Sequence, residues 1–267
     1  NINLHKIKSY NNRLIRMVFA PFKAFIIALK TKSRIIELHD PELIFIGFLL
    51  KMTGRKVIFD FHECIALQIL DKHWIKNDFL KKVIKFSYQL IEKMMIKYFD
   101  LLLLAEDNYE DYFFKLYPNY KNKFIKIRNY PILSLIEGQK PKKIESSKTK
   151  VIYVGGLTKI RGINELILAC NGLKDRIELI LIGNWESIEF EKSCMNSIKG
   201  DYVNYLGYLK PEEIYQYLKA CDIGIALLYP IKNYIISLPV KAFEYLASET
   251  AMIMSDFPLW KERFKNC

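Results

Sequence analysis

Short apolar runs alternate with longer stretches of helical periodicity along nearly the whole 267-residue chain, and few folds accommodate that rhythm. Brief runs without strict apolar/polar alternation read as strands covered on both faces, which is the environment of a parallel sheet wrapped by helices. In the first half the candidate strands are residues 34–38, 56–61, 100–104 and 124–128, with helical patterns near 42–52, 78–97 and 107–116. In the second half they are 151–155, 177–182, 203–206, 223–226 and 251–255. The helices between them carry apolar positions at helical spacing, such as Ile163, Leu166, Ile167 and Cys170, or Ile214, Leu218 and Cys221. Between the halves, the run from Glu137 to Lys150 is rich in Lys and Ser and has no apolar period. The reading is an α/β protein of two Rossmann-like, doubly wound domains facing across a cleft: residues 1–133, a linker at 134–149, and residues 150–267.

Composition narrows the function. A hydrophobic fraction of 51% excludes disorder. Five cysteines in no paired spacing suggest neither a disulfide framework nor a zinc site, so a reducing, cytoplasmic setting fits. Residues 1–149 hold 27 Lys and Arg against 15 Asp and Glu, whereas residues 150–267 hold 14 of each. The basic half points to an anionic partner, a membrane surface or a phosphorylated acceptor, and the absence of a nucleic-acid motif argues against DNA or RNA. No secretory pattern is visible from Asn1. The stretch from Leu14 to Leu29 is apolar but interrupted by Arg16, Pro21 and Lys23 and is short for a bilayer crossing. It reads either as a basic amphipathic helix on a membrane face or as an ordinary helix packed on a sheet.

In open parallel sheets, ligands sit beyond the carboxyl ends of the strands, which directs attention to particular turns. After the strand at 151–155 comes Gly155-Gly156-Leu157-Thr158-Lys159-Ile160-Arg161-Gly162, leading into a helix; its glycines admit close approach, and Lys159 or Arg161 could neutralise a phosphate. It is neither a Walker loop nor a GxGxxG fingerprint. In Ser237-Leu238-Pro239-Val240-Lys241-Ala242-Phe243-Glu244-Tyr245-Leu246, Pro239 marks a first helical turn, and Lys241 and Glu244 lie three apart. Val240, Phe243 and Ala247 would face the core, leaving one cation and one carboxylate for a nucleotide diphosphate and its ribose. Two histidines end consecutive strands, His39 in HDPE and His62 in FHE; His5 and His73 have no such placement. No HExxH, paired cysteines or DxD occur, so no metal is expected, and positive side chains and helix dipoles would stabilise a departing diphosphate.

The ordered series HDPEL at 39–43, FDFHE at 59–63, RNYP at 128–131, YVGGLTKIRG at 153–162, LIG at 181–183, YLGYL at 205–209 and SLPVKAFEYLAS at 237–248 resembles the retaining glycosyltransferases of the large family four. These have the two-domain GT-B fold and use nucleotide-sugar donors. The resemblance makes the first domain the acceptor side and the second the donor side. It implies that Arg161, with Lys159 as a substitute for a second basic position that here is Gly156, holds the donor diphosphate alongside Lys241. Glu244 would bind the ribose, and His39, then His62, would stand beside the transferred sugar. Gly155, Gly183, Tyr208 and Pro239 complete the donor-binding set. The implied function is retaining transfer to a glycan or lipid-linked acceptor, in cell-surface polysaccharide or glycoconjugate synthesis at the inner face of a membrane, without a cofactor.

The departures are specific. The family's E-x7-E motif would place its first Glu at 236, where this chain has Ile236, and Glu249 stands where a Gly usually follows the helix. By family pattern, a first strand with its glycine-rich loop would precede residue 1 and the last helices would follow Cys267. Two alternatives remain open: a non-catalytic binding or assembly protein, and a sugar-nucleotide epimerase of the same fold.

Overall fold

The alternating pattern folds into parallel sheets wrapped by helices. The computed structural model describes residues 3–7, 9–10, 12–62, 64–71 and 75–267, without the side chains of residues 13, 14, 67, 71, 107, 108, 232 and 233. Glu63 and His73 lie outside the described residues. The chain divides into two units, Asn1–Asn129 and Tyr130–Cys267.

Unit 1 runs α1 (Arg13–Lys30), β1 (Ile35–Leu38), α2 (Ile44–Met52), β2 (Lys56–Phe61), α3 (Ile65–Asp71), α4 (Asp78–Ile96), β3 (Leu101–Leu104), α5 (Asp107–Leu116) and β4 (Phe124–Lys126). Its four strands are all parallel, in the order β1-β2-β3-β4, so the sheet grows in one sense without a reversal among the described residues. Right-handed crossovers then put α2 and α4 in one layer on the same face of the sheet. The core is aromatic: Phe59 stacks on Phe99 and Phe61 meets Phe113 at a tilt, with Leu102, Leu104 and Ile96 fully buried around them.

Unit 2 runs α6 (Leu133–Glu137), β5 (Thr149–Val154), α7 (Ile163–Asn171), β6 (Ile177–Ile182), α8 (Ile188–Asn196), β7 (Val203–Gly207), α9 (Pro211–Leu218), β8 (Ile223–Ala226), α10 (Lys232–Ile235), α11 (Val240–Ala247), β9 (Ala251–Met254) and α12 (Pro258–Phe264). The parallel order is β7-β6-β5-β8-β9. Leu179 and Leu181 of β6 face one helical layer, and Ile180 and Ile182 face the other. All four are essentially inaccessible, each worth about 1.5–3 kcal/mol of burial. The direction of winding reverses between β5 and β8, and such a reversal opens a crevice at the carboxyl edge.

The segment read as a linker packs instead on unit 2, and the division falls earlier, at Asn129/Tyr130. Ile136 is wholly buried in the second core, Ile144 packs against it, and the Lys142 N–H donates to Gln216 O. Two anchoring apolar residues in a polar run are too few to give a period, which is why the pattern looked structureless.

Candidate functional site

The strand order places the turns after β5 and β8 on either side of the reversal, with α11 following β8. α11 is fixed by Tyr245, which is fully buried and donates its hydroxyl to Ile225 O at 2.9 Å. The ring lies on Gly224, where a Cβ would come within 2.6 Å of it. Ahead of the helix, the Trp260 indole donates to Ser237 O at 2.7 Å. Tyr130 of the RNYP segment meets Phe243 edge-on at 4.8 Å between centroids.

This anchoring turns α11 only partly from the face expected from sequence, since Phe243 and Ala247 still pack on neighbouring cores. Ala242 and Tyr245 are its buried positions, while Val240 is exposed and Phe243 and Ala247 are half-buried. Pro239 occupies the cap position, one residue before the first helical turn. The rotation carries Lys241 inward. Its Nζ is fully enclosed and has no hydrogen-bond partner. It lies 3.9 Å from the Tyr153 ring centroid, a cation–π position.

Gly155 is the centre of the arrangement. A Cβ there would stand 2.8 Å from Arg161 Nη1, 3.4 Å from Lys241 Nζ and 3.8 Å from the Tyr153 hydroxyl. At Gly156 the nearest groups would be Thr158 Cγ2 at 3.5 Å and Arg161 Nη1 at 3.8 Å. The Tyr153 hydroxyl donates to Gly156 O, and Thr158 Oγ1 is a second enclosed polar atom without a partner. Glu244 completes the group, with Tyr215 OH at a long 3.5 Å from its Oε1.

The electrostatics follow from enclosure. Burial, and then the neighbouring Arg161 guanidinium, push the Lys241 ammonium well below its ordinary range, with Glu244 acting in the opposite direction. Burial raises the Glu244 carboxyl, opposed by Lys241 and Tyr215. A cation enclosed without a hydrogen-bond partner is costly, and an entering anion would relieve that cost.

The remaining expected donor residues are placed differently. Gly183, at φ 142°, touches the loop after β5: a Cβ there would lie 1.9 Å from Gly155 O. Its part in the structure is to let the turns after β5 and β6 cross. Lys159 is exposed, and its backbone N–H donates to Glu186. Tyr208 is 71% exposed. Ile236 follows α10 at the position where the sequence pattern called for Glu.

In unit 1 the register pairs Leu38 with Phe59, so the next residues, His39 just past β1 and Asp60 within β2, stand side by side. His39 Nδ1 is 2.9 Å from Asp60 Oδ2, and the rings of His39 and His62 are 6.5 Å apart. One ligand atom from each of His39, Asp60 and His62 lies within 4.8 Å of the others, a donor set of the type that holds a divalent transition metal. Asp60 and Tyr153 were not foreseen. The available signal for Asp60 was a lone carboxylate between two aromatic strand residues; Tyr153 carried none.

Residues 136–266 match the family model described as glycosyl transferases group 1. An uncharacterised glycosyltransferase of Methanocaldococcus jannaschii is 25% identical over 227 residues, which are 82% of this chain and 56% of the relative. Among solved structures, sucrose-phosphate synthase from Thermosynechococcus elongatus superposes with a TM-score of 0.68 at 17% identity, covering 95% of this chain and 64% of that one. Anabaena HepE in complex with UDP gives 0.63 at 12% identity, covering 88% and 63%. These likenesses establish the α/β fold of GT-B glycosyltransferases. The chain spans between half and two thirds of the length of these three relatives.

Proposed function

We propose that the protein transfers a sugar from a nucleotide-diphosphate sugar to a hydroxyl of a glycan or lipid-linked acceptor, with retention of the anomeric configuration. The observation that carries this reading is the enclosed, unpartnered Lys241 ammonium beside Arg161 at the strand reversal of unit 2. An anion entering there meets two cations and the backbone of two glycines. Glu244, one helical turn along, would accept hydrogen bonds from the ribose hydroxyls. The match of residues 136–266 to the group 1 family model and the UDP complex of HepE support the same assignment.

In the reaction, the bond between the anomeric carbon and the diphosphate oxygen breaks while the acceptor oxygen bonds to that carbon, and the acceptor hydroxyl's proton passes to the departing diphosphate oxygen. Negative charge collects on the departing diphosphate, and Arg161 and Lys241 stabilise it without a divalent ion. Removing one such contact typically costs about 3 kcal/mol, roughly a hundredfold in rate. In unit 1, His39, held through Nδ1 by Asp60, and His62 form a polar cluster suited to hydrogen-bonding sugar hydroxyls. The setting is cytoplasmic, at the inner face of a membrane where cell-surface polysaccharide or glycoconjugate precursors are assembled.

The test is turnover of UDP- and GDP-sugars with and without acceptor. Acceptor-dependent nucleotide release that falls about a hundredfold in Arg161→Ala supports the reading. Undiminished turnover in that variant removes it, and an altered sugar formed without acceptor assigns an epimerase. Ile236 favours one second reading, a non-catalytic binding protein, because a hydrocarbon there cannot accept a hydrogen bond from a donor sugar. That reading requires nucleotide binding without turnover.

A further inference from the structure

We propose that the outward faces of α1 and α4 dock unit 1 on an anionic lipid bilayer. The proposal extends the lipid-linked acceptor reading, but it is carried by unit 1 alone.

A helix covering a sheet normally turns its apolar stripe inward. α4 has a second stripe turned outward. Phe79, Val83, Phe86, Leu90 and Met94 recur at intervals of four, three, four and four, one continuous face of a helix, and all are exposed. Phe79 is 75% and Phe86 69% accessible. On the opposite side, Glu92 and Ile96 face the core. α1 repeats the pattern with Ile15, Val18, Phe22, Ile26 and Leu29, all exposed. The two helices are not remote: α1 packs on α2 and α2 on α4.

Charge identifies the occupant. Lys82 and Lys93, eleven residues and three turns apart, are exposed along one flank of the α4 stripe. The only acids of α4 are Asp78 at its first position, exposed and paired with Lys81, and the buried Glu92, so beyond the first turn the exposed stripe is free of negative charge. Lys23 and Lys30 are exposed on α1. Residues 1–129 as a whole hold 23 Lys and Arg against 13 Asp and Glu. An apolar face bordered by lysines suits the boundary between acyl chains and phosphate headgroups. A second copy of this chain would bring like charges together. No helix among the described residues is long and apolar enough to cross a membrane, so the contact is lateral.

The experiment is flotation of the full chain with vesicles of phosphatidylcholine alone and of phosphatidylcholine mixed with phosphatidylglycerol, without nucleotide. The expected result is flotation with the mixed vesicles only, weakened by salt. A Lys82→Glu/Lys93→Glu variant should lose about tenfold or more in partitioning. Phe79→Ser/Phe86→Ser should also lose flotation while melting as the wild type does, because both rings are already exposed. Absence of flotation with mixed vesicles, or equal flotation of wild type and both variants, overturns the proposal. So does concentration-dependent self-association that the Phe variant abolishes, with the protein staying off the vesicles. Nucleotide binding is measured separately, so a failure here leaves the transferase reading standing, and the reverse.

Discussion

Lys241 Nζ lies 3.9 Å above the Tyr153 ring, enclosed and without a hydrogen-bond partner, although the two residues are far apart in the chain. The arrangement holds a cation where only an incoming anion can complete it.

Replacing Lys241 by Met should therefore separate stability from binding. The variant loses the cost of an unsatisfied enclosed ammonium and gains about 1–3 kcal/mol in urea unfolding. Its affinity for a nucleoside diphosphate falls about a hundredfold. Because burial and Arg161 weaken the lysine's hold on its proton and a bound diphosphate strengthens it, binding and protonation are coupled. Nucleotide binding should take up protons and weaken as pH rises above the lowered value. Calorimetry in buffers of different ionisation enthalpy reads this, and an enthalpy independent of buffer would contradict it.

Glu249 closes α11 in a left-handed conformation, at φ 58°. Thr250 N–H donates to Tyr245 O and Glu249 N–H to Leu246 O, the paired bonds of a Schellman ending whose turning residue is usually Gly. A Cβ at that conformation costs about 1 kcal/mol. Glu249→Gly should raise the melting temperature by about 2–4 °C for a chain of this size. A lower melting temperature would show that the Glu side chain contributes more than the strain removes.

Glu92 makes unit 1 sensitive to pH. Burial raises its carboxyl from 4.5 to about 7, although the Tyr117 hydroxyl donates to it and acts the other way. The folded state thus favours the protonated acid. Its contribution is full below pH 4.5 and is lost as pH rises through about 7. Urea unfolding should show wild type losing on the order of 2–3 kcal/mol relative to Glu92→Gln between these limits. Parallel pH profiles for the two proteins would count against a buried, neutral Glu92.

The fold was legible where apolar runs were long. Lys56–Phe61, Ile177–Ile182 and Ile223–Ala226 form strands at the limits their sequences suggest. α3 was missed because seven residues hold barely two turns, too few to establish a period. At the site, residue types were readable and orientation was not. Lys241 was readable as a cation for a diphosphate, on a face beside the one assigned to Val240, Phe243 and Ala247, but its enclosure against Tyr153 was not. The contact of Tyr245 with Gly224 decides the rotation, and it joins segments that no local pattern connects. The structure adds a packing reason for Gly183 that spacing did not show, because backbone of Gly155 fills the space a side chain would need. Asp60 escaped notice because pairing of β1 with β2, rather than spacing along either strand, sets it against His39.

Calorimetric titration of UDP and GDP into the protein, with a chelator present, tests the central claim most directly. The account predicts saturable binding of at least one of the two, unchanged by the chelator and weakened about a hundredfold in Arg161→Ala. Binding of neither nucleotide, binding that vanishes with the chelator, or equal affinity in the Arg161 variant would contradict it.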